Sequence, residues 1–151
     1  MDNVLGSSEI CQVALVVRNI EQSAKRFAEL FGVNVPEIHM TAPQEAAHTR
    51  YKGNPTAARA KLAFFNLGSL SQELIEPVGG PSTWKEFLDK NGDGLHHIAF
   101  RIKDMEGVLK GLSEKGIGVV QQGDYTGGRY TYLDSAQALG VVIELLENFG
   151  A

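Results

Sequence analysis

Four polar side chains interrupt runs that are otherwise apolar: Gln12 in Ile10–Val17, Glu73 in Gln72–Ile75, His97 in Gly94–Ile102 and Glu144 in Val141–Leu146. Together they offer an amide oxygen, an imidazole nitrogen and two carboxylates. Buried polar groups are costly unless they are partnered. Gathered around one point, this mixed nitrogen–oxygen set suits a divalent ion such as Zn, Ni, Co or Mn, with positions left open for water or substrate. Side chains alternate along a strand, so His97 shares a face with Ala99 and Arg101, and Gln12 shares one with Ala14. The small alanines leave room for a ligand. The same alternation sends His96 to the opposite face with Ile98, Phe100 and Ile102. It also sends Cys11 to a helix-packed face, where it has no chemical role. His96, His39 and His48 read as structural.

The elements that must position these residues follow from periodicity and from turn residues. Ile10–Val17 reads as a strand. Asn19 with Gln22 three residues on opens a helix, Ile20, Ala24, Phe27 and Phe31 recur along it, and Gly32 closes it. A short strand is expected near Val33–His39, followed by a long loop broken by Pro43, Gly53 and Pro55. Strands follow at Ala58–Asn66 and Gln72–Ile75. Gly79-Gly80-Pro81 reads as a flexible break, and Ser82 or Thr83 caps a short helix through Trp84, Phe87 and Leu88. After the strand that carries His97, Asp104 caps a helix over Met105–Lys115, which Gly116 stops. Strands at Gly118–Gln122, Tyr130–Leu133 and Val141–Glu147 complete the chain.

The order of elements repeats. Gln12-Val13-Ala14-Leu15 followed by Arg18-Asn19-Ile20-Glu21 matches His97-Ile98-Ala99-Phe100 followed by Lys103-Asp104-Met105-Glu106. Glu73-Leu74-Ile75-Glu76 matches Glu144-Leu145-Leu146-Glu147. Each half is strand, helix, then three strands, and the four polar residues occupy equivalent places. From Gln12 to Glu73 is 61 positions and from His97 to Glu144 is 47, so the first half carries 14 more, placed in the irregular stretch 40–56. The reading is one α+β domain over residues 1–151, made of βαβββ modules at about 9–78 and 94–148.

Bulk properties exclude several classes. The 151 residues are 43% hydrophobic and 21% charged, with a net charge of -4. No basic run offers a nucleic-acid groove, and no apolar run reaches the ~18 residues that span a bilayer. The start of the sequence lacks the pattern of a signal peptide. The single cysteine cannot form an internal disulfide, and a cytoplasmic location is expected.

The repeat with these four positions resembles the vicinal oxygen chelate superfamily, which includes glyoxalase I, methylmalonyl-CoA epimerase, extradiol dioxygenases and the fosfomycin and bleomycin resistance proteins. The resemblance covers about residues 9–148. Its best local matches, Gly94–Phe100 and Glu73–Pro77, look like methylmalonyl-CoA epimerase. It implies two halves curled into a cupped mixed sheet, and metal ligands at Gln12, Glu73, His97 and Glu144. The implied function is a metal-dependent isomerase or lyase that moves a proton next to a carbonyl through a metal-stabilised enolate. The substrate would be a 2-oxo compound, a thiohemiacetal or an acyl thioester. Glu144 is the first candidate base, Glu73 the second and Lys61 the third. Lys61 also marks a departure, because it falls where epimerases of the family place a second carboxylate. Arg59 and Lys61 share a strand face and are expected to bind an anionic part of the substrate. Arg50, in the long loop, is expected to help select it. The resemblance also implies a homodimer. The alternatives are a metal-free binding protein of the bleomycin-resistance type and, behind it, an extradiol-type dioxygenase.

Overall fold

In the computed structural model, which describes residues 2–150, the helix signals act where the sequence puts them. The elements in order are β1 (Ile10–Val16), α1 (Ile20–Phe31), β2 (His39–Met40), α2 (Gln44–Ala47), β3 (Arg50–Tyr51), β4 (Asn54–Pro55), β5 (Arg59–Asn66), β6 (Ser71–Val78), α3 (Thr83–Asn91), β7 (Gly94–Arg101), α4 (Met105–Glu114), β8 (Val119–Tyr125), β9 (Gly128–Leu133), α5 (Ala136–Leu139) and β10 (Val142–Asn148). The Asn19 side chain accepts the Gln22 N–H at 3.0 Å, and Asp104 accepts the Gly107 N–H at 3.2 Å, so both long helices start on the expected caps.

All ten strands form one mixed sheet, in the order β2-β5-β6-β1-β7-β10-β9-β8-β3-β4. β1 and β7 pair antiparallel at its centre, and each pairs parallel with the last strand of its own half, β6 or β10. The sheet curls into a cup. One apolar core lies outside each half: Ile20, Ala24 and Ala28 of α1 against Phe65 and Leu74, and Met105 and Leu112 of α4 against Leu133 and Leu145. A third core, including Ala14, Val16, Ile75, Trp84 and Tyr132, fills the bottom of the cup.

Three expectations change. The strand near Val33–His39 shrinks to His39–Met40. Pro36 has no N–H to give a ladder, and Val33 and Val35 are exposed. The loop beyond it is not structureless. It forms α2 and the small β3–β4 hairpin, and β3 pairs with β8 of the other half, Arg50 opposite Gln122 and Tyr51 opposite Gln121. The Gly79–Pro81 break is packed rather than flexible. Thr56 Oγ1 donates to Pro81 O at 2.6 Å, and a side chain at Gly80 would meet Thr56 Oγ1 at 3.0 Å and Ala58 N at 3.1 Å. This close approach is what requires glycine there.

Candidate metal centre

The sheet register assembles the four predicted ligands. Ala14 of β1 lies opposite His97 on β7 and opposite Glu73 on β6. Ala99 of β7 lies opposite Gln12 on β1 and opposite Glu144 on β10. Each alanine therefore sits between two polar residues in a pattern that the two halves repeat. His97 Nε2 is 3.1 Å from Glu144 Oε2, 3.4 Å from Gln12 Oε1 and 3.5 Å from Glu73 Oε1. Donor atoms of Glu73, His97 and Glu144 all lie within 4.8 Å of one another. Ligands held ~2.0–2.2 Å from a common ion stand roughly 3.0–3.5 Å apart.

The electrostatics point the same way. His97 is fully buried, and Glu73 and Glu144 are buried with it. Desolvation pushes the pKa of both carboxyls up, and for Glu144 the charge of Glu73 adds to the rise. Desolvation also holds His97 well below its ordinary value. The His97–Glu144 contact has the distance of an ion pair, but a neutral imidazole makes it a hydrogen bond. Among the described residues no Lys or Arg pairs with Glu73 or Glu144. Two buried carboxyls and an amide oxygen, with only a neutral ring among them, fit a divalent cation by donor type, spacing and charge.

A second layer holds these groups. Trp84 Nε1 donates to the Tyr132 hydroxyl at 3.0 Å, and that hydroxyl works against the rise in the Glu144 pKa. The Tyr132 ring packs 4.9 Å from His97, centroid to centroid. His96 does not face away as strict alternation demands. Along β1, Ala14 pairs with His97 while the next residue, Leu15, pairs with Leu95, so β7 carries one extra residue and bulges at His96. The bulge turns His96 onto the cup floor, where it packs on Phe87 of α3 and on Tyr132. Its Nδ1 meets His97 Nδ1 at 2.8 Å, and its Nε2 meets Thr83 Oγ1 at 3.1 Å. Sequence alone gives no sign of that bulge.

A cavity of about 580 Å³ opens over the carboxylates. Leu62, Phe64, Trp84, Tyr130 and Tyr132 make its wall largely apolar, and Arg101 is its one Lys or Arg side chain among the described residues. Arg101 was readable from the sequence: it continues the alternating face of His97 and Ala99.

The other predicted cations are elsewhere. Lys61 lies 3.3 Å from both Glu76 and Glu21. Glu76 also accepts the Ile20 N–H at the start of α1 at 3.0 Å. The second half repeats this arrangement, because Arg129 pairs with Glu147 at 2.7 Å and Glu147 accepts the Met105 N–H of α4 at 2.7 Å. Lys61 is thus the counterpart of Arg129. It fastens a helix start on the outer side of the sheet, and the structure does not bring it to the carboxylates. Arg59 donates to Thr41 O at 2.8 Å and Arg50 to Gly53 O at 3.0 Å, and neither lines the cavity.

Residues 11–133 match the family model of the Glyoxalase/Bleomycin resistance protein/Dioxygenase superfamily. The chain belongs to this superfamily. Its sheet is the curled mixed sheet of that fold. The Bacillus subtilis protein YqjC is 35% identical over 96 residues, covering 61% of this chain and 68% of its own length. Human mitochondrial methylmalonyl-CoA epimerase is 26% identical over 153 residues, covering 96% of this chain and 79% of its own. The crystal structure of methylmalonyl-CoA epimerase from Mycobacterium tuberculosis superposes with a TM-score of 0.70 at 21% identity, over 99% of this chain and 94% of that one. No helix among the described residues of this superfamily member is long and apolar enough to cross a membrane.

Proposed function

We propose that the protein is a metal-dependent epimerase that moves a proton next to the carbonyl of an anionic acyl thioester. The observation that carries this reading is the convergence of Gln12, Glu73, His97 and Glu144 under a cavity with apolar walls. The epimerase names of the relatives support it. A divalent ion held by these four residues would supply Lewis-acid polarisation of the carbonyl oxygen.

The remaining work falls to the chain itself. Glu144 takes the proton, and the Tyr132 hydroxyl, itself fixed by Trp84, holds the carboxyl in one orientation. Glu73, related to Glu144 by the internal repeat, is the second carboxyl within reach and the candidate to return the proton from the other side. Phe64, Trp84 and Tyr130 keep water from the reacting carbon. Arg101, rather than Arg59 or Lys61, meets the anionic part of the substrate through charge-assisted hydrogen bonds.

The test has two stages. Elemental analysis and a thermal-shift screen with zinc, nickel, cobalt and manganese should show uptake of one ion with a raised melting temperature. The loaded protein, given methylmalonyl-CoA in deuterated water, should exchange the proton at the carbon between the two carbonyls. A protein that stays metal-free in excess of all four ions, or one that loads and exchanges no proton on any of the acyl thioester, thiohemiacetal and 2-oxo classes, overturns the reading.

A further inference from the structure

Two neutral imidazoles in nitrogen-to-nitrogen contact can share only one proton. His96 Nδ1 and His97 Nδ1 are 2.8 Å apart in a buried place, so one donates and the other accepts. The contact continues at both ends. His96 Nε2 meets the Thr83 hydroxyl at 3.1 Å, and His97 Nε2 faces Glu144, Gln12 and Glu73. Thr83 sits at the first position of α3, and its backbone N–H is already committed to Gln121 Oε1 at 2.8 Å. Its hydroxyl remains free to rotate between donating and accepting.

The tautomers along Thr83–His96–His97 are therefore linked. While His97 Nε2 carries a proton and donates it to Glu144, His97 Nδ1 accepts from His96 Nδ1–H, and His96 Nε2 accepts from the Thr83 hydroxyl. When His97 Nε2 instead gives its lone pair to a cation, each bond must reverse. His97 Nδ1–H then donates to His96 Nδ1, and His96 Nε2–H donates to Thr83 Oγ1. The proton count of each ring is unchanged. One proton leaves through His97 Nε2 to carboxylate or water, the shared proton crosses between the rings, and one reaches His96 Nε2 from the Thr83 side, replaced there by solvent.

We propose that His96 is the positioning residue of the metal centre: it accepts the His97 Nδ1–H bond that leaves Nε2 free to hold an ion, and cation binding inverts the tautomers of both rings. This rests on the reading of His97 as a ligand. A ligating histidine ordinarily fixes its other nitrogen on a carboxylate, a backbone carbonyl or water. Here a second ring takes that place, and the β7 bulge is what brings it there.

The experiment is long-range proton–nitrogen correlation NMR of the full-length protein labelled at histidine, before and after addition of zinc. The metal-free spectrum should show protons on His97 Nε2 and His96 Nδ1, and the zinc-bound spectrum on His97 Nδ1 and His96 Nε2. Zinc affinity, measured by chelator competition, should fall about 10- to 100-fold in His96→Phe, which removes the acceptor. It should stay within a few-fold in His96→Asn, whose side-chain oxygen sits where Nδ1 was. Zinc binding to the wild type without inversion overturns the relay alone. Wild-type protein that takes up no zinc overturns the metal-centre reading and the inversion with it. Should His96→Phe fail to fold, the wild-type spectra alone decide.

Discussion

The two halves of the chain are built alike and used differently. Both place a candidate ligand on their first strand and a glutamate on their last, and a further glutamate of that last strand accepts the first N–H of the half's own helix, α1 or α4. They part in what stands beside the glutamate of the candidate site. In the second half Tyr132 lies opposite Glu144, and in the first half Phe64 lies opposite Glu73. Tyr132 is buried, accepts the Trp84 N–H and works against the rise in the Glu144 pKa, whereas Phe64 is 40% exposed on the cavity wall and has no polar group to offer. The second half therefore sets a hydroxyl beside its carboxyl, and the first half leaves its own against an open apolar wall. A near-symmetric duplication has become a site with one carboxyl beside a hydroxyl and one beside an apolar wall, which in the proposed function are the proton-transfer side and the substrate side.

The largest test of this asymmetry is a matched pair of substitutions. Glu144→Gln should retain one metal ion while turnover falls by about 100-fold or more. Glu73→Gln should act mainly by weakening metal affinity and lose less turnover once saturated with metal. Equal losses would mean that the halves share the chemistry evenly.

Next in size is the response to pH. The buried carboxyls of Glu73 and Glu144 both have raised pKa values in the folded protein, so their contribution to stability is complete below the unfolded carboxyl pKa of ~4.3 and is lost as pH rises. His96, pushed down to about 4, and His97, also lowered, act in the opposite sense. Their contribution is present above the unfolded histidine value of ~6.5 and fades as pH falls below it. Above that point only the carboxyls act, so the metal-free protein should melt at a lower temperature at pH 8 than at pH 7. Added metal should restore more stability at pH 8 than at pH 7. A metal-free melting temperature that holds level between pH 7 and pH 8 would show that the pair is not desolvated.

Tyr132→Phe leaves the Trp84 N–H unpaired and should cost about 1–3 kcal/mol by denaturant unfolding, with a fall in turnover. Phe64→Leu, at the matching place, should change stability less and KM more. The smallest contrast sets the three cations apart. Arg101→Met should raise KM for an anionic thioester about 10-fold. Lys61→Met and Arg129→Met should each lower the melting temperature slightly and leave KM alone. A rise in KM for Lys61→Met would return that residue to the substrate.

Much of this was legible in the sequence, for specific reasons. The convergence of Gln12, Glu73, His97 and Glu144 could be anticipated because polar residues in apolar strands are conspicuous and the repeat pairs them. The cap residues Asn19 and Asp104 act locally, so their signals survive folding. What escaped depended on pairing between strands distant in sequence. The bulge at His96 exists only in the register between β1 and β7. The position of Lys61 could be inferred only by extending the repeat to Arg129 and Glu147. The 14 additional positions of the first half looked like loop because β3 and β4 are two residues each, and only the pairing of β3 with β8 of the other half ties them into the sheet.

That excursion has a consequence for self-association. The sheet ends at one margin in β2 and at the other in β4, each two residues long, and β4 includes Pro55, which has no N–H to offer. β2 pairs only with Lys61 and Leu62, so Ala63–Asn66 of β5 have no strand beside them on that margin and keep open backbone groups. A second copy that adds a strand would do so along that stretch, and its length of four residues limits how far one sheet can be prolonged.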